Sequence, residues 1–373
     1  MGRVHTPHGS FDTPAFMPVA TAGAMKGITP KQVRGTGSQI ILNNAYHLLL
    51  RPGPERMARF GGSHRFMRWE GPILTDSGGY QAFSMAQIRD LNEDGVTFRS
   101  FIDGSRVHLG PESSIGIQQA IGSDIMMAFD DCPPARGELD ASEYRRRVIA
   151  ANDRTARWLA RCIAAHRHAD RQGLFGIVQG GTEPDLRRAS VDAVCAHDLP
   201  GFAIGGVAVG EGPQAIHDTV RMTAPMLPAD RPRYLMGVGY ERDIWAAVQA
   251  GVDMFDCVLP TRNGRNGFVF TPAGPIRLRN ARFADDQDPI DPGCDCEACG
   301  GGFSRGYLRH LFMADEMLGP TLASIHNIRH FQRFMADMRR ALSDNLPTSF
   351  ERRWPVAVQE APPDRDDAEV TIP

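Results

Sequence analysis

Three aspartates share one sequence context. Asp76 in ILTDSGG, Asp130 in MMAFDDC and Asp256 in MFDCVLP each close a short apolar run. Gln179 in GIVQGG and Asn44 in IILNNAYH hold the same place in two further runs. Neighbouring carboxylates can divide labour, one attacking as a nucleophile while another moves a proton. Such pairs make and break glycosidic bonds. A carboxamide, carboxylates and backbone N–H groups together offer the mixed donors and acceptors of a purine edge, and Tyr80 and Met236 add flat and soft apolar walls. Neither a Ser-His-Asp nor a Cys-His order falls on these positions. Gly237-Val-Gly239 lacks the third glycine of a dinucleotide fingerprint, and no phosphate-cradling loop is present.

A second cluster carries different chemistry. Of seven cysteines, Cys294, Cys296 and Cys299 crowd into DPGCDCEACGGG, and SIHNIRHF follows with His326 and His330. Three thiolates and one imidazole fill a tetrahedral zinc site, and a site closed by four protein ligands is structural rather than catalytic. His326 is taken as the fourth ligand, with His330 its competitor one helical turn later. Arginines 262, 265, 277, 279, 282, 305, 309, 329 and 333 surround this stretch. Most belong to solvated faces, but a stapled module flanked by arginines can hold a nucleic-acid backbone while a pocket takes one base.

Positioning the acids requires strands, and eight apolar runs supply them: 14–21, 38–47, 71–79, 123–132, 173–181, 201–210, 233–239 and 252–261. Continuous rather than alternating hydrophobicity marks strands buried on both faces. Helical stretches lie between them. Thr29-Pro30 and Glu183-Pro184 are start signals, and Ser142 to His166 is amphipathic. Eight such strands alternating with helices predict an α/β fold, a (β/α)8 TIM barrel, whose function sits at the strand C-termini. Those ends carry Asn44, Asp76, Ser77, Asp130, Gln179, Gly205, Gly206, Met236, Gly237 and Asp256. A hairpin is inserted over 95–111, turning at Asp103-Gly104. The expected organisation is a barrel core over 1–267, a zinc-binding subdomain with C-terminal helices over 268–354, and a disordered acidic tail over 355–373.

Composition narrows the class. A net charge of −3 gives no overall field for a polyanion, so any nucleic-acid site is a local patch. Lysine occurs only at 26 and 31, leaving arginine as the dominant cation. The odd cysteine count, the absence of an apolar leader and the absence of a long apolar span predict a cytoplasmic protein without disulfides or membrane contact.

The ordered motifs TDSGGYQ (75–81), FDDC (129–132), GIVQGG (176–181), GGVAVGEG (205–212), RYLMGVG (233–239) and MFDCVLPTRNGRNG (254–267), with CxCxxC and a distant His, resemble the bacterial tRNA-guanine transglycosylase family, also called queuine tRNA-ribosyltransferase. The resemblance runs from about Thr13 to Trp354. It implies exchange of the wobble guanine in tRNAs with GUN anticodons. Asp256 would attack the ribose C1′ to give a covalent tRNA–enzyme intermediate, and Asp76 would handle the proton. Asp130, Gln179 and the Gly206 N–H would read the base between Tyr80 and Met236. Asn44, Ser77, Gly205, Val207 and Gly237 would complete the base site. Val209 and Cys132 follow the bacterial pattern, favouring preQ1 over the bulkier queuine. Arg262, Arg265 and Asn266, in a loop after the eighth strand, would hold the anticodon arm. The resemblance further implies structural zinc, no organic cofactor and a homodimer.

Four departures from the family pattern carry expectations of their own. The chain begins partway through the hairpin that precedes the barrel in this family, which implies either a late start or an incomplete N-terminal seal. Asn44-Ala45 stands where Asn-Thr is usual, removing a hydroxyl near the pocket. GGGFSRG after Cys299 is one residue longer, predicting a looser zinc module. The loop PPARGELD lacks the usual tyrosine. The rival readings are a non-catalytic tRNA-binding homologue of the same fold and a barrel glycoside hydrolase. The retained acids argue against the first, and zinc ligands lying away from the strand ends argue against the second.

Overall fold

The computed structural model describes residues 1–85, 90–137 and 139–359. The chain opens with an antiparallel hairpin, β1 (Gly2–Thr6) on β2 (Gly9–Thr13), paired through all five positions from Gly2–Thr13 to Thr6–Gly9. Phe11 is fully buried and joins the barrel's inner core, with Val4 packed against it. The seal, incomplete on one of the two readings of the N-terminal departure, is therefore formed.

The barrel begins with β3 (Ala15–Ala20), β4 (Ile41–Asn43) and β5 (Ile73–Thr75). An insertion follows, β6 (Asp90–Asn92), β7 (Gly95–Arg99) and β8 (Arg106–Leu109), which adds one strand to the expected hairpin to make a three-stranded antiparallel sheet. The barrel resumes with β9 (Ile125–Met127), β10 (Gly173–Val178), β11 (Phe202–Ile204), β12 (Arg233–Leu235) and β13 (Met254–Cys257), and β13 closes on β3. All eight barrel strands pair in parallel. This is the expected (β/α)8 architecture.

Strand alternation sorts the side chains into two cores. Met17, Val19, Leu42, Leu74, Ile125, Met127, Phe175, Ile177, Ala203, Tyr234 and Met254 fill the interior, while Phe16, Met126, Leu174, Phe202 and Phe255 face the helices. Each large apolar side chain so enclosed contributes about 1.5–3 kcal/mol. Helix starts follow local chemistry. Thr29 and Gln32 form a capping box ahead of Pro30–Gly35. Asp140 accepts from Ser142 and Glu143 N–H to cap Ala141–Ala165, the expected amphipathic helix, which buries Tyr144, Val148, Thr155, Trp158, Leu159 and Cys162.

After β13 the chain forms a helix, Leu259–Arg265, where the glycines and arginines predicted a loop. Pro260 suits the first helical turn. Gly264 is no breaker here: a Cβ on it would stand 2.7 Å from the Ser324 Cα, so the missing side chain lets this helix lie against Leu318–Ser343. Beyond the short pair β14 (Phe268–Val269) and β15 (Ile276–Arg277) comes the cysteine cluster, then helices Arg305–Met313, Leu318–Ser343 and Pro347–Arg353. Phe331, Phe334 and Met335 share the outer barrel core, and Phe331 stacks on Phe16 at 4.7 Å. Pro355–Ala357 makes a 3-10 turn with Val356 and Ala357 buried; residues 360–373 of the expected tail lie outside the described residues.

Candidate active site and metal centre

Interior-facing positions recur every second residue, so the residue two beyond the last core side chain emerges at the barrel's C-terminal mouth. Leu74 leads to Asp76, Ile177 to Gln179, Ala203 to Gly205, Tyr234 to Met236 and Met254 to Asp256. A mouth cavity of about 260 Å³ gathers all five, with Ser77, Tyr80, Asp130, Cys132, Gly206, Val207, Val209 and Gly237. Tyr80 is 46% exposed at the rim.

Each acid has distinct partners. Asp256 accepts hydrogen bonds from the Tyr234 hydroxyl at 2.5 Å and the Gly237 N–H at 2.8 Å. Burial raises its pKa, and these two bonds oppose the rise. Asp76 accepts from the Ala45 N–H at 2.8 Å and Asn44 Nδ2 at 2.5 Å. Burial, aided by the charges of Asp256 and Asp130, pushes it up to about 7 against the Ala45 bond. Asp130 accepts from Gln179 Nε2 at 2.6 Å and the Ser77 hydroxyl at 3.4 Å, and burial together with the Asp131 charge also lifts it to about 7. Burial pushes the Cys132 thiol to about 12, so it stays neutral.

The arrangement therefore offers a doubly hydrogen-bonded carboxylate beside two carboxyls that exchange protons near neutrality, which suits one acid for attack and another for proton transfer. Gln179 Oε1 is buried with no partner, as is Gln81 Oε1 on the same cavity wall, so the site holds two unsatisfied acceptors. Gly206 has φ +63°, and a Cβ there would stand 2.2 Å from Gln179 Oε1; glycine is required for both reasons.

Asn44 does not reach the wall. It caps the helix Ala45–Leu50 and steadies Asp76 from behind, because the chain turns into that helix directly after β4. Arg262, Arg265 and Asn266 also stand outside the cavity, on and just after the helix that leaves Asp256. Among the described residues neither arginine has an ion-pair partner. Leu42, Gln81, Ala208 and Cys257 line the cavity without having been singled out from the sequence, and four further residues also escaped that reading. Tyr234 was hidden as a core tyrosine, although its parity with Met236 was available. Arg187 and Glu211 lie on a helix and in a loop, where no strand end marks them; Glu211 accepts from the Ala208 and Val209 N–H groups at 2.5 and 2.9 Å. Val258, at the rim, follows the acid by two.

At the second centre, Cys294, Cys296, Cys299 and His326 are all buried with their ligand atoms within 4.8 Å of one another. His326 Nδ1 lies 3.3 Å from Cys299 Sγ and 3.6 Å from Cys296 Sγ. His326 Nε2 lies 2.8 Å from the Phe270 carbonyl, and donation there leaves the Nδ1 lone pair facing the sulfurs. These residues fit a closed tetrahedral ion. His330 is directed elsewhere, its Nε2 2.7 Å from Glu241 Oε1. The longer turn after Cys299 is tied by Gly300 to Cys296, Gly302 to Cys299 and Phe303 to Ala298 backbone bonds, so the expected looseness is not found.

The family model described as Queuine tRNA-ribosyltransferase matches residues 1–358. Curated relatives of that name include one from Symbiobacterium thermophilum, 53% identical over 95% of this chain and 88% of its own length. Others are from Thermus thermophilus, 50% identical over 95% and 90%, and Stenotrophomonas maltophilia, 52% identical over 95% and 93%. The eight-stranded barrel, the acids at its mouth and the Cys3His cluster thus stand in a chain that belongs to the queuine tRNA-ribosyltransferase family.

Proposed function

We propose that this protein exchanges the wobble guanine of tRNAs with GUN anticodons for preQ1 through a covalent tRNA–enzyme intermediate. Its class is that of the family, a tRNA-guanine transglycosylase, hence a pentosyltransferase. The observation that carries the finer reading is Asp256, held by Tyr234 and Gly237 in one cavity with Asp76. Asp256 attacks the ribose C1′, the bond from C1′ to guanine N9 breaks, and the departing base takes the proton of the Asp76 carboxyl, which leaves Asp76 as a carboxylate. The incoming base then gives its N9 proton to Asp76 and displaces the Asp256 oxygen from C1′. Asp130, Gln179 and the Gly206 N–H read the base edge, and Tyr80 and Met236 enclose its faces. Ser77, Gly205, Cys132, Val207, Val209 and Gly237 shape the remaining wall. A preference for preQ1 over queuine rests on the volume of Val209 beside Cys132.

Arg262, Arg265 and Asn266 hold the anticodon backbone, a role supported by their place on and just after the helix that follows Asp256 and by the lack of an acid partner for either arginine among the described residues. Zinc is the ion that three thiolates and an imidazole select, with a structural task. The reading includes action as a homodimer: Tyr307, 41% exposed, stacks with Phe303 and His310, and Met313, Met317 and Leu318 are exposed nearby in sequence. A cytoplasmic site agrees with the finding that no helix among the described residues is long and apolar enough to cross a membrane. A non-catalytic homologue would not need three acids in the cavity. Incorporation of labelled guanine or preQ1 into unmodified tRNA tests the proposal. We expect Asp256→Ala to lower exchange at least about 10⁴-fold with an unchanged melting curve; full exchange in that variant sinks the nucleophile assignment.

A further inference from the structure

Behind the base-reading loop lies a cation that the reaction as written does not use. Arg187, on the helix Pro184–Cys195, is fully buried, and no carboxylate among the described residues pairs with it. Its guanidinium donates to four main-chain carbonyls. Nε reaches Gly181 O at 2.6 Å, Nη1 reaches Gly205 O at 2.7 Å and Val178 O at 3.3 Å, and Nη2 reaches Gly206 O at 3.0 Å. A buried arginine without an anion is costly unless its donors are satisfied, and these bonds satisfy most of them.

Geometry gives the arrangement a consequence at the cavity. In a planar trans peptide the C=O and N–H point in opposite directions. Because Arg187 draws the Gly205 and Gly206 carbonyls toward itself, the N–H groups of Gly206 and Val207 are turned away from it. The Gly206 N–H is directed at the Cys132 sulfur, which lines the cavity, and Gly206 and Val207 line it as well. A cation bonded to a carbonyl also polarises its peptide and strengthens the N–H at the far end.

We propose that Arg187 is a positioning residue that sets and polarises the Gly205–Gly206–Val207 peptides as a donor pair for the carbonyl oxygen of the purine. This rests on the transglycosylase reading above and deepens it. As the bond from C1′ to N9 breaks, its electron pair moves onto the base, and part of that charge reaches the carbonyl oxygen. Fixed donors there stabilise the leaving base more than the attached one. The simpler alternative is a staple joining the ends of β10 and β11.

The test measures binding of guanine and of 6-thioguanine, which keeps the same edge but replaces the carbonyl oxygen with a weakly accepting sulfur. The full-length enzyme, Arg187→Lys and Arg187→Gln are compared, with melting temperature and metal content recorded. The expected result is about a tenfold loss of guanine affinity in each variant and little change for 6-thioguanine. In exchange assays the base KM should rise with kcat falling, and the KM for tRNA should stay. Equal losses for both bases indicate a staple and overturn the proposal. Should neither variant fold, the unaltered enzyme still decides, since equal affinity for guanine and 6-thioguanine contradicts a carbonyl-directed donor pair. An unaltered enzyme that neither binds guanine nor performs exchange brings down the transglycosylase reading itself, a result distinct from a loss confined to the variants.

Discussion

The two ends of the barrel each bury carboxyl groups and treat them in opposite ways. At the mouth, Asp76 and Asp130 rise to about 7 because burial is reinforced by neighbouring acids and opposed only by neutral amide and hydroxyl donors. At the other end, where β5 and β9 begin, Asp124 is equally enclosed, and burial pushes it up too. Hydrogen bonds from His64, the Ile73 N–H and His8 outweigh that push and leave it below the ordinary carboxylate range. His8 and His64 stack at 3.5 Å over it, so one carboxylate ties the N-terminal hairpin to the barrel floor. Partners, not burial, decide the sign of the shift. On the proposed function, one end uses its acids for reactivity and the other for stability.

The sharpest break of this comparison is Asp124→Asn. A carboxyl with a depressed pKa contributes stability above its unfolded value near 3.9 and loses it as pH falls through the folded value. The variant should therefore lose on the order of 3 kcal/mol throughout pH 5–8 in urea melts, since two imidazoles lose their carboxylate. A loss under about 0.5 kcal/mol contradicts the latch. Asp130→Asn should behave oppositely. The folded state holds the Asp130 proton up to about pH 7 while the unfolded chain releases it near 4, so wild-type stability falls as pH rises through that window. A residue that cannot titrate escapes this, and at about 1.4 kcal/mol per unit, shared with the coupled Asp76, the variant should gain on the order of 2 kcal/mol relative to wild type between pH 5 and 8. Parallel pH profiles refute the raised pKa assigned to Asp130. The smallest effect is expected from Tyr234→Phe. Losing a bond to the ionised form raises the Asp256 pKa, so the acidic limb of the kcat/KM profile should move to higher pH, with about a tenfold fall at pH 6. An unmoved limb separates Tyr234 from the nucleophile.

The sequence made the mouth legible where strand alternation reaches it. Asp76, Gln179, Gly205, Met236 and Asp256 each stand two residues beyond an interior core side chain, and that period survives without any structure. Asn44 obeys the same count yet turns aside, because a helix starts on it and its side chain becomes a cap. Arg187 was illegible for another reason: among so many arginines, nothing in EPDLRRAS separates the buried one from its exposed neighbour Arg188. The helix Leu259–Arg265 looked like a loop because glycine breaks helices in isolation, whereas here it admits a crossing helix that only the tertiary fold supplies. His326 was separable from His330 only by partners distant in sequence, Phe270 and Glu241.

The central claim is that the mouth acids act covalently on tRNA through Asp256. Enzyme mixed with unmodified tRNA and run on a denaturing gel tests it most directly. The account predicts a protein–RNA adduct that disappears when free preQ1 is added and never forms with Asp256→Ala. An adduct of equal yield in that variant, or active exchange with no adduct under any quench, contradicts it.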